Sequence, residues 1–152
     1  MILRVRQAEP IDDVEDFRLE RIELLRGNQQ PLKLRDSAKF VLHIVPHNAF
    51  RRASFEGRIF DVNKDDLKPM AVGGWSYKVN FDGIASVTSL GGESDAYVQL
   101  FHNGTVESVN ASYFHQSDEK TYIPITGWED QLIDRIPNYL NMQRSALIFR
   151  SM

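Results

Sequence analysis

Histidine and carboxylate side chains are the groups in this chain that could do metal or acid–base chemistry, but their spacing favours neither. The histidines are His43, His47, His102 and His115. His43 and His47 lie at the end of an apolar run, where strand residues four apart are separated by about 13 Å, too far for one metal ion. We therefore predict no metal and no cofactor, with His102 beside Asp95 or Glu107 as a weaker alternative, and interpret His43 as a hydrogen-bonded core residue.

The acidic pairs of the sequence suit helix starts and solvated loops better than catalysis. They are Asp12-Asp13, Asp65-Asp66, Asp118-Glu119 and Glu129-Asp130. Such positions favour helix capping and charge–dipole interactions, and none is expected to have the raised pKa that acid–base catalysis requires. The phosphate-binding motif G-x-x-x-x-G-K-S/T and the hydrolase motif G-x-S-x-G are both absent from the sequence. We predict no catalytic residue, and an enzyme is the least favoured functional class.

Residues 48–72 form a long charged connection with weak periodicity, in which one short helix or strand is expected over residues 54–62. Long connections in a compact domain often carry function. If a small ligand or nucleotide binds here, we predict that His47, Arg51 and Arg52 are its polar contacts. The simpler interpretation of the same basic residues is a solvated loop.

Composition bounds the class of protein. The 152 residues fit one domain, and 42% hydrophobic with 26% charged residues is ordinary for a globular chain. The absence of cysteine excludes disulfides and thiolate chemistry. No secretory leader and no window of about 20 apolar residues is present, so we expect a cytoplasmic protein without a membrane contact. The net charge of −3 argues against nucleic acid as the main partner.

The first half of the sequence predicts a helix and a strand. Residues 9–26 begin with Pro10 and four acidic residues and keep an apolar face at helical spacing. Arg18 and Arg21 border that face, and we expect their heads to reach carboxylates while their stems cover apolar surface. The nearly continuous apolar run from Phe40 to Val45, ended by Pro46, predicts a strand buried on both faces at the centre of a sheet.

Short strands separated by glycine-containing turns follow, from Ala71 to Tyr113. We predict a hairpin with Asp82-Gly83 as its two-residue turn, which pairs Val79 with Ser86. A second hairpin around Asn103-Gly104 would pair Val98 with Val109. Both faces of these strands carry apolar groups, which favours a sheet that is covered in part on both sides.

The C-terminal part predicts a second helix. Thr126 and Glu129 have the spacing of a capping box, and apolar residues recur at helical spacing to about Arg144. Pro137 is expected to kink or break this helix. Residues 146–149 would form a final strand. The whole chain, residues 1–152, is therefore predicted to be one α+β domain with a mainly antiparallel sheet packed against an N-terminal and a C-terminal helix.

An ordered set of segments resembles a known bacterial family. The segments are Phe17-Arg18-Leu19-Glu20-Arg21, Leu25-Arg26-Gly27, Phe40 to Pro46 with Ala49-Phe50, Trp75, Asn80 to Gly83, Tyr97 to Gly104, and Ile136 to Leu140. They are similar to the C-terminal region of bacterial proteins described as ATP-binding or DNA-binding, which carry an N-terminal Schlafen-type Alba-like domain. The chain therefore looks like an isolated C-terminal domain, over roughly residues 17–149.

This resemblance implies a setting and no chemistry. In that family the Alba-like domain is the part associated with nucleic acid, so the resemblance implies nucleic-acid contact only through a separate N-terminal domain. It implies no catalytic residue for this region. The leading hypothesis is a non-enzymatic accessory or regulatory domain that acts by protein contact or self-association. The alternative is a small-ligand or nucleotide sensor with its site under the 48–72 connection.

Overall fold

The computed structural model describes residues 10–28, 32–47, 49–50, 58–122 and 124–148. Its helices are α1 (Pro10–Arg26) and α2 (Ile125–Ile148), with short 3-10 helices at Arg58–Asp61 and Lys64–Leu67. Its strands are β1 (Phe40–Ile44), β2 (Ser76–Asn80), β3 (Gly83–Val87), β4 (Ala96–Phe101), β5 (Val106–Asn110), β6 (His115–Ser117) and β7 (Lys120–Tyr122). The predicted α+β class, with an antiparallel sheet and a helix towards each end of the chain, is confirmed.

Five strands form one antiparallel sheet in the order β1-β5-β4-β3-β2, and β6 pairs with β7 in a separate small hairpin. The central strands β3, β4 and β5 are buried almost throughout. The prediction that Phe40–Val45 is a central strand is wrong, because β1 lies at an edge of the sheet and is only half-buried. Its apolar run reflects coverage of both faces by other elements, which says nothing about its lateral position.

The two faces of the sheet are covered by different layers. On one face, Tyr139, Met142 and Ala146 of α2 and Ile59 and Leu67 of the 3-10 helices pack on alternate strand residues. On the other face, Leu25 of α1 packs in a cluster with residues of β3, β4 and β5, and with Val41 of β1. The strand alternation therefore divides the sheet into an α2 face and an α1 face. The predicted partial coverage of both faces is confirmed for β3, β4 and β5.

Helix α2 runs without interruption from Ile125 to Ile148. Of the predicted kink or break at Pro137, the break is wrong, as is the predicted strand from Ala146, although Phe149 lies outside the described residues. The helix continues because Tyr139, Met142 and Ala146 recur at helical spacing and are all buried against the sheet. Because Pro137 has no N–H, the carbonyl of Ile133 lacks its helical hydrogen bond. Both residues are exposed on the outer side of α2.

The registers of both predicted hairpins are wrong. Val79 pairs with Ile84 rather than Ser86, so Phe81 and Asp82 form the loop. In the second hairpin Val109 pairs with Tyr97 rather than Val98. Its loop holds one residue more than predicted, because Gly104 adopts a positive φ of 84° and donates its N–H to the Phe101 carbonyl.

Candidate functional site

A charged network is buried between α1 and the sheet. Arg21 extends from α1, and Glu107 lies opposite His43 of β1 and one pair away from Tyr97 of β4 on the α1 face. Glu107 is 0% exposed, and the side chains of Arg21 and His43 are almost fully buried. Three strands and one helix thus each contribute one polar group to a single buried point.

The Glu107 carboxylate accepts four hydrogen bonds. Arg21 donates through Nε to Oε2 at 3.0 Å and through Nη2 to Oε1 at 2.7 Å. Tyr97 donates its hydroxyl to Oε1 at 2.5 Å, and His43 Nε2 donates to Oε2 at 2.7 Å. This bidentate, charge-assisted arrangement satisfies both oxygens of a carboxylate that has no access to water. The predictions that Arg21 reaches a carboxylate and that His43 is a hydrogen-bonded core residue are confirmed, and the predicted carboxylate partner of Arg18 is Glu15.

Aromatic rings enclose the network on one side. Phe17 of α1 contacts the rings of His43, Phe50 and Phe101 at centroid distances of 5.4, 5.7 and 5.5 Å. The guanidinium of Arg21 lies over the Phe101 ring at 5.1 Å, a cation–π arrangement. These rings lower the local polarity, and so they raise the energetic importance of each hydrogen bond to Glu107.

The electrostatics of the network fit a structural role. Burial alone would raise the pKa of Glu107, but the hydrogen bonds from His43 and Arg21 and the Arg21 charge outweigh it and lower that pKa to about 2. Burial and the adjacent Glu107 charge raise the pKa of Tyr97 well above its ordinary value. A carboxylate this acidic is a weak base at neutral pH, and a phenol with a raised pKa is a weak acid. The network therefore holds α1 on the sheet rather than transferring protons.

Because the pKa of Glu107 is lowered, the free energy of unfolding is expected to decrease at acidic pH. Its folded value of about 2 lies below the ordinary 4.5, so the stabilisation is complete above pH 4.5 and is lost as pH falls towards 2. The shift corresponds to about 3 kcal/mol of unfolding free energy. Urea unfolding at several pH values between 7 and 2.5 should show this loss in the wild type and a smaller one in Glu107→Gln. Equal acid dependence in both proteins would contradict the assignment.

The predicted ligand contacts are not brought together by the described structure. His47 is exposed in the turn after β1, whereas Arg51 and Arg52 lie outside the described residues. The described part of the 48–72 connection buries Ile59, Val62 and Leu67 against the sheet and α2. Tyr139 of α2 also donates its hydroxyl to the Lys68 carbonyl at 2.9 Å. Ligand binding by His47, Arg51 and Arg52 stays a prediction.

The described ranges also hold other candidate sites. A cavity of about 370 Å³ lies beside the C-terminal half of α1, and Ile22, Leu25, Val41, Arg26 and Lys39 are among its lining residues. The described residues include no group of three or more His, Asp or Glu side chains arranged to hold a metal ion. Neither α1 nor α2 in the described structure is long and apolar enough to cross a membrane. The structure does not bring His102 to Asp95 or Glu107 as the alternative metal site requires, since His102 bonds the Phe81 carbonyl, Asp95 lies beside Arg35 and Glu107 bonds His43.

Three exposed apolar side chains lie at the β2 edge of the sheet. Strand β2 pairs with β3 on one side, and within the described ranges no strand pairs with its other side. Tyr77 and Val79 extend from the α2 face of this strand with 51% and 62% of their surface exposed. Phe81, in the loop that follows, is 95% exposed. We call β2 with Phe81 the β2 edge.

The β2 edge is exposed because the covering layer ends before it. The neighbours of Val79 and Tyr77 across the hairpin are Ile84 and Ser86, which are both buried on the α2 face. Over β2, the Lys64 ammonium lies 5.6 Å from the Tyr77 ring centre. The apolar face of the sheet thus extends one strand beyond the elements that bury it. The sequence signal for this was the alternation of Trp75, Tyr77, Val79 and Phe81, which also suits a covered strand.

Comparison with known proteins gives no family for this chain: no family model, no curated protein and no solved structure matches it.

Proposed function

We propose that this chain is a non-enzymatic accessory domain that acts by protein contact, and that the contact is made by the β2 edge. The observation that carries this proposal is the run of Tyr77, Val79 and Phe81 along a strand with one unpaired side. Exposed apolar residues on an edge strand are a liability that proteins normally remove unless a partner covers them.

A strand edge offers two kinds of recognition at once. Its outward backbone N–H and C=O groups can pair with an added strand, and its alternate side chains select what that strand carries. On β2 the side chains on the α2 face are aromatic or aliphatic, whereas Lys78 and Asn80 point to the α1 face. The edge therefore suits an extended protein segment that is apolar on one side and polar on the other.

The chemistry of the buried groups supports the non-enzymatic part of the proposal. The strongest cluster of titratable side chains, around Glu107, is inaccessible and fully hydrogen bonded. The link to a nucleic-acid-binding module rests on the family resemblance, in which that activity belongs to a separate N-terminal Alba-like domain. The net charge of −3 agrees with a chain that does not itself bind nucleic acid.

Photo-cross-linking inside the native cell tests the proposal directly. A photoreactive phenylalanine analogue is placed at Tyr77 and, as a matched control, at Ile133, an aliphatic residue of α2 that is 73% exposed. We expect protein adducts from position 77 and few or none from position 133. Mass spectrometry of the adduct identifies the protein that covers the β2 edge.

Two results would overturn the proposal. Absence of any adduct at position 77, with both variants folded and expressed at the wild-type level, would show that the β2 edge is uncovered in the cell. Turnover of a substrate by the purified chain would contradict its non-enzymatic character. In that case, thermal unfolding in the presence of single nucleotides or metals would identify the ligand. A ligand present at 100 times its dissociation constant adds about 2.7 kcal/mol to the free energy of unfolding.

A further inference from the structure

We infer that the β2 edge pairs with the β2 edge of a second copy of this chain, antiparallel to it, about a two-fold axis at Val79. This inference rests on the proposed function and adds the identity of the partner. It follows from the order of side chains along β2, SYKVN, and from the exposed Phe81 in the loop after it, which together favour one register.

Symmetry limits the registers to be considered. A two-fold axis perpendicular to the sheet pairs residues at equal distances before and after one central residue, so paired side chains share a face. The axis can then pass through Tyr77, Lys78 or Val79. An axis at Lys78 would set the two Lys78 side chains directly opposite each other, and like charges in that position are destabilising.

An axis at Val79 relieves the charge conflict and covers the exposed rings. Lys78 then faces Asn80 of the second copy instead of a second lysine. Tyr77 then lies beside the loop of the second copy in which Phe81 follows the last strand residue, Asn80, and the two aromatic rings pack at the end of the paired segment. The most exposed apolar side chain of the described structure, Phe81, thereby gains a partner.

An axis at Tyr77 makes poorer use of the same surface. It would pair Val79 with Trp75, whose ring already packs against the cluster between the sheet and α2. Phe81 would lie beyond the paired segment and stay in water. The axis at Val79 is therefore the register that the exposed side chains favour.

The size of this contact indicates a weak, concentration-dependent dimer. Two rings and one valine from each copy would bury on the order of 1,000 Å² in total. Stable interfaces bury roughly 1,200–2,000 Å², and smaller ones belong to transient complexes. The dimer is thus expected to be observed by sedimentation at high protein concentration, up to about 1 mM.

Single cysteines can map the axis, because the natural chain has none. Tyr77→Cys, Lys78→Cys, Val79→Cys and the control Ile133→Cys are treated with a short bifunctional maleimide at one protein concentration. We expect cross-linked dimer to form fastest for Val79→Cys, whose two copies meet at the axis, and slowest for Ile133→Cys. A parallel Val79→Lys variant, which sets two ammonium groups at the axis, should raise the dimer dissociation constant about tenfold or more in sedimentation equilibrium.

Each outcome decides the inference separately from the proposed function. Fastest cross-linking at position 77 or 78 overturns the register at Val79. A purified chain that stays monomeric at every concentration, or an unchanged dissociation constant in a folded Val79→Lys, overturns the second copy as partner. If the cellular adduct at Tyr77 then contains a different protein, the β2 edge remains a protein contact. Loss of both the dimer and the adduct would remove the proposed function as well.

Discussion

Replacing Glu107 with glutamine is expected to lower the free energy of unfolding by about 3–5 kcal/mol. The substitution keeps the shape of the side chain but removes the negative charge that faces Arg21 in a site without water. Arg21 would stay buried as an uncompensated cation, and the amide nitrogen would replace an acceptor where Arg21, His43 or Tyr97 now donates. Equilibrium unfolding in urea, followed by tryptophan fluorescence, measures the loss.

The control for this experiment is Glu15→Gln. Glu15 accepts from Nε and Nη2 of Arg18 in the same two-pronged geometry, at 3.0 and 2.6 Å, but both side chains are about half exposed. Water screens and replaces such a pair, so the unfolding midpoint of this variant should hardly move. Equal effects of the two glutamine variants would show that the Glu107 network does not hold α1 on the sheet.

Replacing Gly83 with alanine is expected to cost about 2–5 kcal/mol of unfolding free energy. Gly83 begins β3 with a φ of +144°, which side chains rarely adopt, and an added Cβ would lie 2.1 Å from the Leu100 carbonyl oxygen. That oxygen belongs to the backbone of β4, so relief requires β3 and β4 to separate. Thermal and urea unfolding of the variant measure the cost.

Gly91→Ala is the matched control for Gly83→Ala. Gly91 lies in the loop between β3 and β4, its φ is outside the positive range that disfavours side chains, and its added Cβ meets no atom within 4 Å. Its stability should therefore stay within about 0.5 kcal/mol of the wild type. A Gly83→Ala protein as stable as Gly91→Ala would mean that β3 starts in a different conformation.

The sequence was sufficient for the class of fold but not for the strand register. Local periodicity and turn residues, which act over a few positions, are enough to predict the α1 helix, the α+β class and the existence of strands β2 to β5. The register after Asn103 depends on whether Gly104 adds one residue to the loop, a choice made by tertiary packing. That single residue decides whether Glu107 shares a face with Leu100 or with Tyr97.

The buried network was missed for this reason. With the predicted register Glu107 would lie on the α2 face, among aliphatic residues and away from Arg21. Its partners Arg21, His43 and Tyr97 come from distant parts of the chain, so no local pattern joins them. The available signals were the charge at the border of the apolar face of α1 and a histidine within an apolar strand. Each correctly indicated a hydrogen-bonded residue, but neither indicated which partner it had.

The other errors have a shared physical origin in long-range packing. The low helix propensity of Pro137 argues for a break in α2. Burial of Tyr139, Met142 and Ala146 nevertheless outweighs the loss of one backbone hydrogen bond. An apolar run such as Phe40–Val45 indicates cover on two faces, and lateral order in a sheet is set by which strand pairs with β5. The exposure of the β2 edge is likewise decided by where α2 and the 3-10 helices end.

The strand order also has a consequence for the sequence of folding events. Strands β2 to β5 are consecutive neighbours, and their turns close short loops, whereas β1 pairs with β5 across about 60 residues of chain. Closing that long loop costs more conformational entropy before any stabilising contact forms. We therefore expect β1 to join the sheet after strands β2 to β5 have paired. Because His43 arrives with β1, the hydrogen bonds to Glu107 are completed in a late step. Pulse-labelling hydrogen exchange should show protection of β4 before β1, and simultaneous protection would contradict this order.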